Sequence, residues 1–253
     1  MSYSGLDKIP ADSAIVLRRL HGSLALFHGL QALLVVVLAE VQLGDKGRAP
    51  VYLTTWQRPE DGTGWTAHHG ELASAVPMAY FVATFLFLAS LDHAITAWYA
   101  FGHYLTCVES RYNPFRWCEY LFSFSTMSLL ICVLCGGLDL WVLALVAVLS
   151  MATIAFGWVG EAYPMVPLQY VGWVPFALLW VVLFTLFGLS PGNPPAFVWA
   201  IMFTLFVLTA CFGVVPFWGA GRKYLDTEYA FCVMSLLAKT MLAWLTVGGV
   251  MSL

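Results

Sequence analysis

Seven stretches of this chain consist almost entirely of apolar residues: roughly 13–39, 73–101, 112–136, 139–159, 166–189, 196–219 and 224–251. At about 1.5 Å of rise per helical residue, each is long enough to cross the roughly 30 Å of hydrocarbon in a bilayer. A water-soluble reading would need most of these stretches to be core helices. Composition argues against that: 61% of the 253 residues are hydrophobic and only 10% are charged, against about 25% charged in soluble domains. The expected fold is therefore an all-α membrane protein, a single seven-helix transmembrane domain over residues 1–253 with the lipid bilayer as its solvent. There is no basic stripe and no nucleic-acid motif.

The seventh stretch contains a residue that does not belong in lipid. Lys239, in Ser235-Leu236-Leu237-Ala238-Lys239-Thr240-Met241-Leu242-Ala243-Trp244, is the only charged side chain from about Phe231 to Leu253. A lone lysine at membrane depth costs several kcal/mol on any scale and marks function by default. Burial favours its neutral amine, and a neutral amine condenses with an aldehyde to give a Schiff base. Three structural readings compete: snorkelling to an interface, pairing with a buried carboxylate, or a core helix of a soluble protein.

Glu119 is the best candidate partner, in the third stretch, Arg116-Trp117-Cys118-Glu119-Tyr120-Leu121-Phe122-Ser123-Phe124-Ser125-Thr126-Met127. Glu119, Ser123 and Met127 recur every four residues and share one helical face. Ser235 precedes Lys239 by one turn on the same face. The competing reading pairs Glu119 with Arg116 near the membrane surface. His28, in His28-Gly29-Leu30-Gln31, and His93, after Asp92, sit at membrane depth. There, histidine either relays protons or donates a bond between helices. His21 and His103 lie nearer span ends. Trp173, Phe176, Trp180, Phe203, Phe206 and Phe212 crowd the fifth and sixth stretches, as packing or as the walls of a slot for a long conjugated ligand.

The connections carry less. Residues 40–72 form the one long loop, where Val51–Trp56 has strand composition and predicts a short hairpin on the membrane face. His68-His69 reads as solvated loop rather than a metal site. Six cysteines lie in or beside the spans, and their spacing predicts packing rather than metal or disulfide chemistry. The polar start of the chain, to Arg19, does not resemble a cleavable signal. Lys8, Arg18, Arg19, Arg111, Arg116, Arg222 and Lys223 fall on the N-terminal side, against Lys46, Arg48 and Arg58 on the other. That bias predicts a cytoplasmic N-terminus and an extracellular C-terminus.

Taken together, Arg116-Trp117-Cys118-Glu119-Tyr120 with Ser123, Ser125 and Met127 resembles the third helix of the heliorhodopsins. Ser235–Lys239 through Trp244 resembles their seventh, and His28-Gly29-Leu30-Gln31 and His93 also match. The resemblance covers nearly the whole chain and implies a cofactor, retinal, carried all-trans in the dark as a protonated Schiff base on Lys239. It makes Glu119 the sole counterion and Ser123 and Ser235 tuners of hydrogen bonding and colour. Trp117 and Met127 join the cofactor-binding set, and His28 and His93 belong to a polar cavity that receives the proton after illumination. It further implies a homodimer, an inverted topology and an unidentified signalling partner.

Two positions depart from proton pumps of the bacteriorhodopsin type. Ser235 stands where those carry a second carboxylate, and Leu130 where they carry a proton donor. The leading expectation is a non-enzymatic, non-pumping photoreceptor with a slow photocycle. Its alternatives are a light-gated proton channel or transporter, and a transporter or enzyme without chromophore.

Overall fold

The computed structural model describes residues 8–60, 62, 64–163, 166–190, 192–219 and 222–253. Asp61 of the long loop, Pro164 and Met165 between the fourth and fifth stretches, Pro191 between the fifth and sixth, and the first seven residues lie outside these.

Among the described residues, seven helices are long and apolar enough to cross a membrane. They are α1 (Ala11–Leu38), α2 (Met78–Ala94), α4 (Pro114–Leu134), α5 (Leu140–Ala162), α6 (Val166–Leu189), α7 (Ala196–Trp218) and α8 (Tyr224–Met251). A short helix, α3 (Phe101–Glu109), follows α2 on the N-terminal face of the bundle. The surface stays apolar where lipid would lie: Leu26, Leu30 and Leu33 of α1, Val148 of α5 and Val181 of α6 all point outward. Such helices are apolar all round, as bilayer spans must be.

The core follows from which helices are central. α4 and α8 are the most buried spans and α5 the least. Toward the C-terminal ends of α4 and α8 the interior is dry, filled by Val35, Val82, Phe85, Leu86, Leu130, Leu205 and Leu242, with Ile201 and Met202. Gly29 lets α1 close on α2. A Cβ there would come 2.9 Å from the hydroxyl oxygen of Ser90, which instead donates to the Ala25 carbonyl at 2.7 Å.

Helix α2 widens into a π-turn at Ile95–Tyr99, directly after His93. Such bulges free backbone groups and cluster at functional sites. Here the Ala97 carbonyl accepts from Arg18 Nε at 3.0 Å. A second π-turn, Ala39–Leu43, ends α1.

The long loop is an antiparallel hairpin, β1 (Arg48–Gln57) and β2 (Thr66–Pro77), larger than the six-residue strand signal implied. Residues 73–77, counted in the second apolar stretch from composition, close β2, and α2 starts at Met78. His68 and His69 are strand residues paired with Thr55 and Thr54. The hairpin is tied to the turn between α4 and α5. Gly136, at φ +84°, ends α4 in the left-handed conformation that favours glycine. Tyr52 N–H then donates to the Leu138 carbonyl at 2.9 Å. Asp139 accepts from Thr54 N–H at 3.0 Å, from the Thr54 hydroxyl, and from Trp141 N–H at 2.9 Å as the N-cap of α5.

The hydrogen bond from Thr54 holds the Asp139 carboxyl below the usual carboxylate range, helped by the backbone donors. A depressed folded-state value contributes stability above the unfolded value, lost as pH falls through the folded one. Asp139→Ala is expected to cost about 1 kcal/mol through the lost cap and to speed amide exchange at Thr54 and Trp141. Acidification is expected to lower the protection of these amides, relative to their intrinsic exchange rates, in the native chain. Hydrogen-exchange mass spectrometry of the peptides that contain Thr54 and Trp141 checks both, and unchanged exchange in the variant would refute the tie.

Candidate functional site

Lys239 lies near the middle of α8, and packing against α4 buries it to 3% exposure. Its Nζ donates to Ser235 Oγ at 2.5 Å and to Glu119 Oε2 at 3.2 Å, and sits 5.0 Å from the centre of the Tyr120 ring. The four-residue spacing from Ser235 puts the hydroxyl under the amine, and α4 delivers the carboxylate from the opposite wall. Of the competing readings, pairing with a buried carboxylate describes the geometry. Glu119 does not pair with Arg116. Its second oxygen, Oε1, is buried without a hydrogen-bond partner, as is the Ser123 hydroxyl.

From Lys239 an apolar cavity of about 890 Å³, counted to its mouth, extends between α4, α5, α6 and α7. Trp117, Tyr120, Met127, Trp173, Phe176 and Phe212 line it, with Ser123 and Ser235 near the amine. Two glycines let aromatic rings lie flat against backbone. A Cβ on Gly157 would come 2.7 Å from the Trp117 ring, and one on Gly213 2.6 Å from Trp173. Of the aromatics singled out in the fifth and sixth stretches, Trp173, Phe176 and Phe212 face this slot. Trp180 packs beside it on Phe176 and Phe206.

On the other side of Glu119, toward the N-terminal face, the interior is polar. His93 Nδ1 and His21 Nδ1 are 2.9 Å apart, and His21 Nε2 meets the Tyr104 hydroxyl at 3.1 Å. Tyr104 and Asn113 both donate to Glu228 Oε2, at 3.4 and 2.7 Å. Arg116 donates to Glu228 Oε1 and, at 2.5 Å, to Glu161 Oε2, whose other oxygen accepts from the Tyr224 hydroxyl. His28 stacks on His93 with ring centres 5.9 Å apart, and neither of its nitrogens has a hydrogen-bond partner. Gln31 ties α1 to α8 instead, accepting from Trp244 Nε1 at 2.8 Å and donating to Thr240 Oγ1 at 3.4 Å.

A family model for the heliorhodopsins matches residues 17–251. The chain belongs to the heliorhodopsin family. Among solved structures, a cyanorhodopsin from the cyanobacterium Tolypothrix sp. superposes with a TM-score of 0.66 at 11% identity over 95% of each chain. A light-driven proton pump from Leptosphaeria maculans superposes with a TM-score of 0.53 at 12% identity, covering 95% of this chain and 96% of that one. At such identities the likeness speaks for the rhodopsin fold alone. Curated proteins gave no match. As a heliorhodopsin, this is a light-sensing membrane protein whose family chromophore is retinal.

The residues fit that chromophore. The slot's walls are apolar and aromatic, and its polar end holds one amine. Glu119 Oε1 and the Ser123 hydroxyl, both buried and unpartnered, stand ready beside that end.

Three residues given little weight in the sequence turn out to be central. Glu161 and Glu228 sit near span ends, yet both turn inward, Glu228 to 1% exposure. His21 is buried in the histidine pair rather than exposed at a helix end. The signal was Arg116: a cation one turn into a span needs carboxylates, and with Glu119 committed to Lys239 they had to come from elsewhere. Arg116→Leu leaves two buried carboxylates without a cation and is expected to cost about 3–5 kcal/mol. Adding Glu161→Gln and Glu228→Gln should recover part of the loss. Thermal denaturation in detergent checks this, and a single variant as stable as the native chain would refute it.

Proposed function

We propose that this heliorhodopsin is a non-pumping photoreceptor with a slow photocycle, in which Lys239 carries retinal, all-trans in the dark, and Glu119 is the counterion. The observation that carries the reading is the buried amine at the head of an aromatic slot, paired with a single carboxylate. The chromophore supplies absorption of visible light and a change of shape within the slot.

The chain's own residues do the rest. Glu119 stabilises positive charge at the Lys239 nitrogen and so keeps it protonated. Ser235 accepts a hydrogen bond at that nitrogen, and Ser123, Trp117 and Met127 shape the slot near it. When the pair separates, the proton moves into the polar side of the core, where His93, hydrogen-bonded to His21 and stacked on His28, offers a base. Disturbing a buried pair shared by α4 and α8 biases a two-state change in the helices.

The one-sided distribution of polar groups supports retention over transport. Toward the C-terminal ends of α4 and α8 the proton meets Leu130, Leu242, Leu205 and Phe85, which offer no relay. The lysine and arginine bias supports a cytoplasmic N-terminus and an extracellular C-terminus. The family resemblance supports a homodimer that passes the signal to a partner.

Expressed with all-trans retinal, the purified protein is expected to show a visible band that bleaches with hydroxylamine in light. Lys239→Ala should lose the band while keeping its helical circular dichroism. Glu119→Gln should change the band and make it vanish at a lower pH than in the native protein. A folded, colourless native protein would remove retinal from the account. An unchanged band in Glu119→Gln would remove Glu119 as counterion. Under voltage clamp, no photocurrent is expected, and a steady one would assign a conductor instead.

A further inference from the structure

One carboxylate in the polar half of the core is answered by neither buried cation. Asp92 precedes His93 on α2, and its side chain is 15% exposed. It lines a small inner cavity with Glu119, Arg116, His21, Glu228 and Ser235. Its carboxylate lies 3.9 Å from His93 Nδ1, the only ionic contact it makes among the described residues. It also interacts electrostatically with Glu119, Lys239 and Arg116. Yet Lys239 is held by Glu119, and Arg116 already bonds two carboxylates, Glu161 and Glu228.

A buried anion without a cation is costly, and a second carboxylate near the first makes it costlier. The simplest remedy is a proton on the carboxyl itself, because the neighbouring histidine is already engaged. The Nδ1 atoms of His93 and His21 face each other at 2.9 Å. Two ring nitrogens so close must have a hydrogen between them, which commits His93 Nδ1 to His21 and leaves Asp92, 3.9 Å away, without a hydrogen bond from it.

We infer that Asp92 is a second carboxylate of the light site, which holds a proton beside His93 in the dark and, on losing it, sets a second negative charge facing Lys239. The inference rests on the reading of Lys239 as the attachment point of retinal. The groups facing Asp92 from the packed helices determine the balance. Glu119 on α4 and Glu228 on α8 favour keeping the proton, and Arg116 and Lys239 favour losing it. His21 and His28 on α1 act only when charged, and Tyr120 and Cys232 are neutral neighbours. Asp92 thereby becomes a positioning residue: it acts on the reacting nitrogen through the field and through Glu119.

The test is a titration of the visible band of the retinal-loaded protein, native and Asp92→Asn. In the native protein a transition is expected between protonation of Glu119 in acid and loss of the band in alkali. The band should move to shorter wavelength as pH rises, because added negative charge stabilises the dark state, whose positive charge lies on the nitrogen. Asp92→Asn should lack that transition, and Asp92→Glu should restore it at a displaced pH.

Infrared difference spectra of native protein grown with isotope-labelled aspartate give a reading that needs no variant. Asp92 is the one aspartate away from the ends of the seven spans, so a light-induced, label-sensitive carboxylic acid band reports it. Should Asp92→Asn fail to fold, that band decides: its presence supports a proton held on Asp92 and its absence overturns it. An Asp92→Asn titration matching the native one also overturns it. If Lys239→Ala loses the colour while Asp92→Asn is indistinguishable from native, this inference alone falls. A colourless native protein overturns the retinal reading and this one with it.

Discussion

The ion pair between Lys239 and Glu119 is the interaction around which the molecule is arranged. At 3.2 Å and an effective dielectric constant of about 20, two unit charges attract by about 5 kcal/mol. Most of that offsets the cost of taking both out of water. The pair therefore adds little net stability, and losing either partner leaves a bare charge in an apolar interior. That asymmetry requires α4 and α8 to be the central helices, because each carries half of the pair. It also gives a small disturbance at the amine a large effect on how those two helices pack.

The rest of the interior is divided by this pair. On one side is the aromatic slot, where Gly157 and Gly213 let Trp117 and Trp173 lie against helix backbones. Toward the N-terminal face lie Arg116, Glu161, Glu228, Tyr104, His21 and His93, joined by hydrogen bonds. Toward the opposite face lies a dry layer of leucine, valine and phenylalanine. Buried polar networks hold together only when their members are satisfied. Among the exceptions, Glu119 Oε1 and the Ser123 hydroxyl line the cavities around the amine, and both nitrogens of His28 lie against His93. They mark where the network has capacity to change state.

The hairpin performs a different task. Thr54, Asp139 and Trp141 fasten it to the turn between α4 and α5, on the face where the core is dry. The π-turn after His93 lies at the other face and leaves the Ala97 carbonyl for Arg18. Irregular backbone is thus concentrated at the two ends of α2, next to the hairpin on one side and the polar network on the other.

Much of this was legible in the residue string, because hydrocarbon enforces simple rules. Length and apolarity determined seven helices, the isolation of Lys239 marked the candidate site, and four-residue spacing put Ser235 beneath it and Ser123 beyond Glu119. Pairing was another matter. Arg116 and Lys239 were equally available to Glu119 in sequence, and only the packing of α8 against α4 gave it to Lys239. That left Arg116 to gather Glu161 and Glu228 from α5 and α8. His21, Asp92 and Tyr104 likewise look unremarkable on three separate helices and become one cluster when α1, α2 and α3 close together. Periodicity reports which face of a helix is apolar. Which charge meets which is decided by distance in the folded bundle, where a few ångströms in a poorly screened interior outweigh any spacing along the chain.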